Sequence, residues 1–100
     1  MNDYERNFEI AKLLFPDALA IEKWLPNSDA AAITVYEPDL DSITFKRDYS
    51  NNWNDLMPLV VEHIEDFDRQ SWDIWACLKD DDPQIALAEC LLKVLEAKDE

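Results

Sequence analysis

No glycine occurs anywhere in these 100 residues. Every turn must therefore be made by a residue that carries a Cβ, and the left-handed region of backbone space is costly throughout. Asparagine, aspartate, serine and proline have to supply the turns, and they cluster accordingly in "PNSD" at 26–29, "PDLD" at 38–41, "SNN" at 50–52 and "DDDP" at 80–83. The same absence removes a phosphate-cradling Walker A loop and a dinucleotide fingerprint, since both need the backbone to approach phosphate without a Cβ.

The segments between these turns carry readable periods. A helix is predicted from an Asn2 or Asp3 cap to about Phe15, with Tyr4, Phe8, Ala11 and Phe15 on one face and Glu5, Glu9 and Lys12 on another, and Pro16 ends it. "LAIEKWL" at 19–25 reads as a strand. "AAITVYE" and "SITFKRD" alternate β-branched and aromatic residues on either side of "PDLD", which predicts a hairpin over Ala32 to Asp48. A second helix is expected near 53–67, capped by Ser50 or Asn52, with Leu56, Val60, Ile64 and Phe67 at helical spacing and Pro58 tolerated or kinking it. "WDIWACL" at 72–78 alternates like a strand. A last helix near 83–97 has Asp82 as its cap and Pro83 at its first position.

The expected fold is a single α+β domain spanning 1–100, an antiparallel sheet of about four strands with three helices in the order α-β-β-β-α-β-α. Trp72, Ile74, Ala76, Val60, Ile64, Leu91 and Leu95 are its expected core. Apolar runs are too short to span a membrane, and the acidic start "MNDYERNFEIAKLLF" lacks the basic region of a signal peptide. A cytoplasmic location is therefore expected, with Cys77 and Cys90 as reduced core thiols.

Charge narrows the function. The chain has 23 acids against 9 bases, a net of −14, where a small domain needs a magnitude of only about 2 to 8 for solubility. Such a field repels nucleic acid and anionic membranes and attracts basic surfaces. Catalytic and cofactor motifs are missing. His63 is the single histidine, so no histidine-based metal box can form, and Cys77 with Cys90 lacks zinc-site spacing. "DDDPQIALAE" fails as a calcium loop, with Ile85 and Leu91 where Gly and Glu are required. The expectation is a protein that is not an enzyme and holds no cofactor or metal.

Two acidic clusters remain. Asp80, Asp81 and Asp82 precede a helix N-terminus, where negative charge is favourable. "EHIEDFD" at 62–68 instead lies where the second helix should be ending, so the dipole opposes Glu65, Asp66 and Asp68, and Glu62 with Asp66 is an unfavourable i, i+4 pair. Carboxylates four residues apart on a helix rise about 6 Å, comparable to neighbouring phosphates, so such a surface can present a DNA-like field. Glu62, Glu65, Asp66, Asp68, Asp80 and Asp81 are accordingly the candidate partner-binding residues.

At "YSNNWNDLMPLVVEHIE" and "PQIALAECLLKVLEA" the chain resembles small phage and prophage proteins with a phage α-β-α sandwich domain. Tyr49, Ser50, Trp53, Met57, Pro58, Ala86, Ala88 and Cys90 carry the resemblance, as core and cap residues, over about the last 50 residues. It departs at "SWDIWACLKDDD", which lacks the expected glycines. The resemblance implies a phage-encoded accessory protein in an infected bacterial cell, and size and acidity are similar to those of anti-CRISPR proteins. The leading expectation is an acidic inhibitor that acts as a DNA mimic on a basic nucleic-acid-binding protein, a CRISPR effector subunit. The alternative is an antitoxin or immunity protein that neutralises a basic nuclease.

Overall fold

The structure is a computed structural model that describes residues 2–24, 31–36 and 44–98. Its elements run α1 (Asp3–Leu14), β1 (Ala20–Lys23), β2 (Ile33–Tyr36), β3 (Thr44–Arg47), α2 (Trp53–Glu62), α3 (Ile64–Arg69), α4 (Ile74–Leu78) and α5 (Pro83–Lys98). The class is α+β, with the strands forming an antiparallel meander in the order β1-β2-β3. Ala20 pairs with Tyr36, and Ile33 with Arg47. The hairpin is present, while its turn "PDLD", like "PNSD", lies outside the described residues. Among the described residues no helix is long and apolar enough to cross a membrane.

Helix starts follow local chemistry. Asn2 Oδ1 accepts from the Glu5 amide at 2.8 Å, Asn52 Oδ1 from Asn54 at 3.0 Å, and Asp82 Oδ1 from Ile85 at 3.5 Å. Each relieves an orphan N–H of the first turn. Pro83 opens α5, where its missing N–H costs no helical bond.

The sheet has three described strands, not four, because 72–78 does not form one. Asp73 Oδ1 accepts from the Trp75 amide at 3.0 Å and caps α4. Ile74 and Cys77, three residues apart, then turn inward while Ala76 is exposed. A run of seven residues is too short for apolar periodicity to separate a strand from a helical turn, and the aspartate cap decides between them.

The second helix is also corrected: it divides at His63 into α2 and α3. That interruption changes the phase of the apolar repeat, so Leu56, Val60 and Phe67 are buried but Ile64 is 46% exposed. Of the other expected core residues, Leu91 and Leu95 are buried, while Trp72 and Ile74 pack only partly against the core. α1 and α4 both lie on α5, and α1 also covers β1 and β2. Ile10, Ala11, Ile33, Val35, Leu87, Leu91 and Val94 close the resulting interior.

α3 ends without glycine. The Trp72 amide donates to Phe67 O at 2.9 Å and the Ser71 amide to Asp68 O at 3.1 Å, the paired bonds of a Schellman motif. Ser71 occupies its left-handed position at φ 62°, alone among the described residues in combining a side chain with positive φ.

Candidate functional site

The break at His63 reverses the electrostatics of "EHIEDFD". Glu65 and Asp66 stand in the first turn of α3, not the last turn of a longer helix. The dipole favours them there. Glu62 keeps its unfavourable place at the end of α2, and Asp68 lies towards the end of α3.

Asp66 is not part of an open surface. Its carboxylate is turned inward and meets His63 Nδ1 at 3.3 Å, Arg69 Nη1 at 3.5 Å and Lys98 Nζ at 3.3 Å. Burial alone would raise its pKa, but the hydrogen bonds from His63 and Lys98 and the charges of Lys98 and Arg69 outweigh that, so the carboxyl is held below its ordinary value. Asp66 clamps α3 to the C-terminal turn of α5, a role that is structural. His63 belongs to the same clamp.

Glu62, Glu65, Asp68, Asp80 and Asp81 are exposed. Among the described residues no ion pair engages any of them. The two clusters are not adjacent. Asp66 fixes α3 beside Lys98, whereas Asp80 and Asp81 precede Pro83 at the other end of α5, and fifteen residues of helix separate those ends by about 22 Å. Asp80 also accepts from the Asp82 amide at 3.1 Å, a local turn bond that leaves its charge exposed.

Beside the α3 acids runs an apolar stripe. Trp53, Met57 and Val61 repeat every four residues along the outside of α2, and Ile64 continues them at the start of α3; they are 40%, 37%, 65% and 46% exposed. The core face of the same helix is made by Leu56 and Val60. Trp53 and Met57, expected as core or cap residues, lie outside the core.

A second polar assembly is built around α1. Asn7, fully buried, donates from Nδ2 to Ala31 O at 3.0 Å and Asp48 Oδ1 at 2.9 Å, and its Oδ1 accepts from the Ser50 amide at 3.1 Å and Ser50 Oγ at 2.9 Å. Arg6 donates to Asp3 at 2.8 Å, Ser50 Oγ at 3.2 Å and Glu89 at 3.1 Å. An open cleft of about 670 Å³ borders this assembly, lined by Asn2, Asp3, Tyr4, Lys23, Ala31, Asp48 and Asn51. Its carboxylates are committed to holding the fold: Asp3 to Arg6 and Asn51, Asp48 to Asn7 and Asn51.

The two thiols face each other at 2.7 Å between α4 and α5 as free cysteines. Burial, and then the hydrogen bond with Cys77, push the Cys90 thiol up to about 12. A thiol so rarely ionised is a poor nucleophile at neutral pH. Among the described residues no group of three or more His, Cys, Asp or Glu side chains is arranged to hold a metal ion.

No known protein family, characterised protein or solved structure matches this chain. The functional reading therefore rests on its own residues. Sequence reasoning found the exposed acids but missed the stripe next to them, although its signal was present: Trp53, Met57 and Val61 keep a strict four-residue spacing parallel to that of Leu56 and Val60. Two adjacent apolar rows make a face wider than one core contact can cover.

Proposed function

We propose that this protein is a non-enzymatic, acidic binding module that occupies the nucleic-acid-binding surface of a basic protein. The observation that carries this reading is the set of exposed acids, Glu62, Glu65, Asp68, Asp80 and Asp81, that no ion pair engages among the described residues, on a chain of net charge −14. Carboxylates held in this way exchange water for the guanidinium and ammonium groups that otherwise hold phosphates. In its most concrete form the protein is a phage-encoded inhibitor in the bacterial cytoplasm, acting as a DNA mimic on a CRISPR effector subunit. That form extends the expectation drawn from the sequence, and what supports it is the small size and the net charge of −14, similar to those of anti-CRISPR proteins.

The test is competition. Purified effector complexes are assayed for target-DNA binding with the wild-type protein and with a variant carrying E62Q, E65Q, D68N, D80N and D81N. Asp66 is left intact because it holds the fold. The wild type is expected to displace DNA, less effectively as salt screens the charges. The neutralised variant should keep or raise its Tm, as self-repulsion is relieved, and lose at least tenfold in displacement. Failure of the wild type to displace DNA, or equal displacement by the variant, refutes the reading.

A further inference from the structure

Charge alone does not explain the surface that carries the α3 acids. An ordinary solvated helix face has no use for Trp53, Met57 and Val61 in a row about 12 Å long, followed across the break at His63 by the exposed Ile64. Tryptophan and methionine are among the residues enriched where protein surfaces meet, while isolated exposed aliphatics need no explanation. α2 contains no basic residue, and Arg69 of α3 is turned to Asp66. Glu62 follows Val61 directly, and Glu65 and Asp68 share α3 with Ile64, Asp68 one helical turn beyond it. The row is therefore apolar along its length, with the exposed acids Glu62, Glu65 and Asp68 at its α3 end and the nearby cations Arg69 and Lys98 engaged by Asp66.

From this we infer that the Trp53–Met57–Val61–Ile64 row is the anchor of the interface, seated in an apolar groove of a partner protein whose rim carries Lys and Arg. The inference rests on the basic partner proposed above and adds the chemistry that would hold it. Charge complementarity identifies the occupant. A second copy of this chain would bring the same acidic border, at −14 per chain, against its own kind. A nucleic acid is repelled outright, and an anionic membrane likewise. A basic protein groove satisfies both parts: the acids steer encounter and the buried row slows dissociation. In this respect the surface differs from a pure duplex imitation, whose contacts are charged throughout.

Two peptides of equal charge serve as probes: a 15-residue Leu/Lys amphipathic helix, and the same sequence with each leucine replaced by serine. Affinities are measured by calorimetry, and the contact surface is mapped by amide chemical shifts on the wild-type protein. The amphipathic peptide is expected to bind at least tenfold tighter than the serine peptide and to perturb Trp53, Met57, Val61 and Ile64. The M57S/V61S variant should abolish that tenfold difference while its binding of the serine peptide is unchanged. E62Q/E65Q/D68N should weaken both peptides. Equal binding of the two peptides by the wild type, or perturbation confined elsewhere, such as around Trp75, overturns the anchor but leaves a charge-only partner standing. Absence of binding by either peptide overturns the basic partner itself. A wild-type dimer in sedimentation that M57S/V61S converts to monomer assigns the row to a second copy and refutes the inference.

Discussion

Asp66 and Trp53 exchange the roles their residue types suggest. The aspartate is inside, paired to Arg69 and Lys98 and in contact with the His63 ring, and the tryptophan is half outside. Ionised Asp66 is the form the clamp stabilises, so its folded pKa lies below its unfolded value. Its contribution to stability is complete above the ordinary aspartate value near 3.9 and is lost as pH falls through the lowered folded value. D66N is accordingly expected to have a lower Tm than wild type at pH 7, with the gap closing as pH falls from about 5 towards 2. Thermal unfolding followed over that range checks this, and a gap constant with pH would show that the carboxylate's charge plays no part. Which acid turned inward was not legible in the sequence, because Lys98, the cation that draws α5 to Asp66, is 32 positions away.

At the scale of elements, what was legible was local. Asn2, Asn52 and Asp82 announce their helices because a cap acts over two or three residues, and the β2–β3 pair follows from alternation on both sides of a turn cluster. What was missed depends on tertiary partners or on a short segment with two periods. Neither Pro nor Gly marks the break at His63. Nothing local marks Arg6 and Asn7 for burial, since their partners at Asp48, Ser50 and Glu89 are distant in sequence. The end of α3 carries its own prediction. A side chain in the left-handed region costs roughly 1 to 2 kcal/mol, part of which glycine returns as extra unfolded-state entropy. S71G is therefore expected to stabilise the protein by about 0.5 to 1 kcal/mol, raising Tm by roughly 2 to 8 °C for a domain of this size. Calorimetry decides it. A lower Tm would mean that the serine side chain stabilises this turn by more than its backbone strain costs.

For the whole molecule the governing quantity is charge confined to a small volume. The radius of gyration is 13.6 Å. At an ionic strength of 0.01 M the screening length is about 30 Å, so every carboxylate acts on every other; at 0.15 M it is about 8 Å and most pairs are screened. Self-repulsion in the compact state should therefore relax with salt. Tm is expected to rise by several degrees between 10 and 150 mM NaCl, as followed by circular dichroism. A fall would place the ion pairs of Arg6 and Asp66 above the net charge as the larger electrostatic influence on the fold.

The attachment of α1 to α5 also bears on how the chain is made. Arg6 reaches Glu89 across 83 positions, and Asn7 reaches Asp48 and Ser50 across more than 40. A ribosome adding about 5 to 20 residues per second leaves the first helix waiting roughly 1 to 4 seconds for the strands it covers and roughly 4 to 17 seconds for the helix it lies on. Until α5 emerges, α1 lacks the helix against which most of its packing is made. Over that interval the acidic excess of the chain works against association between incomplete copies.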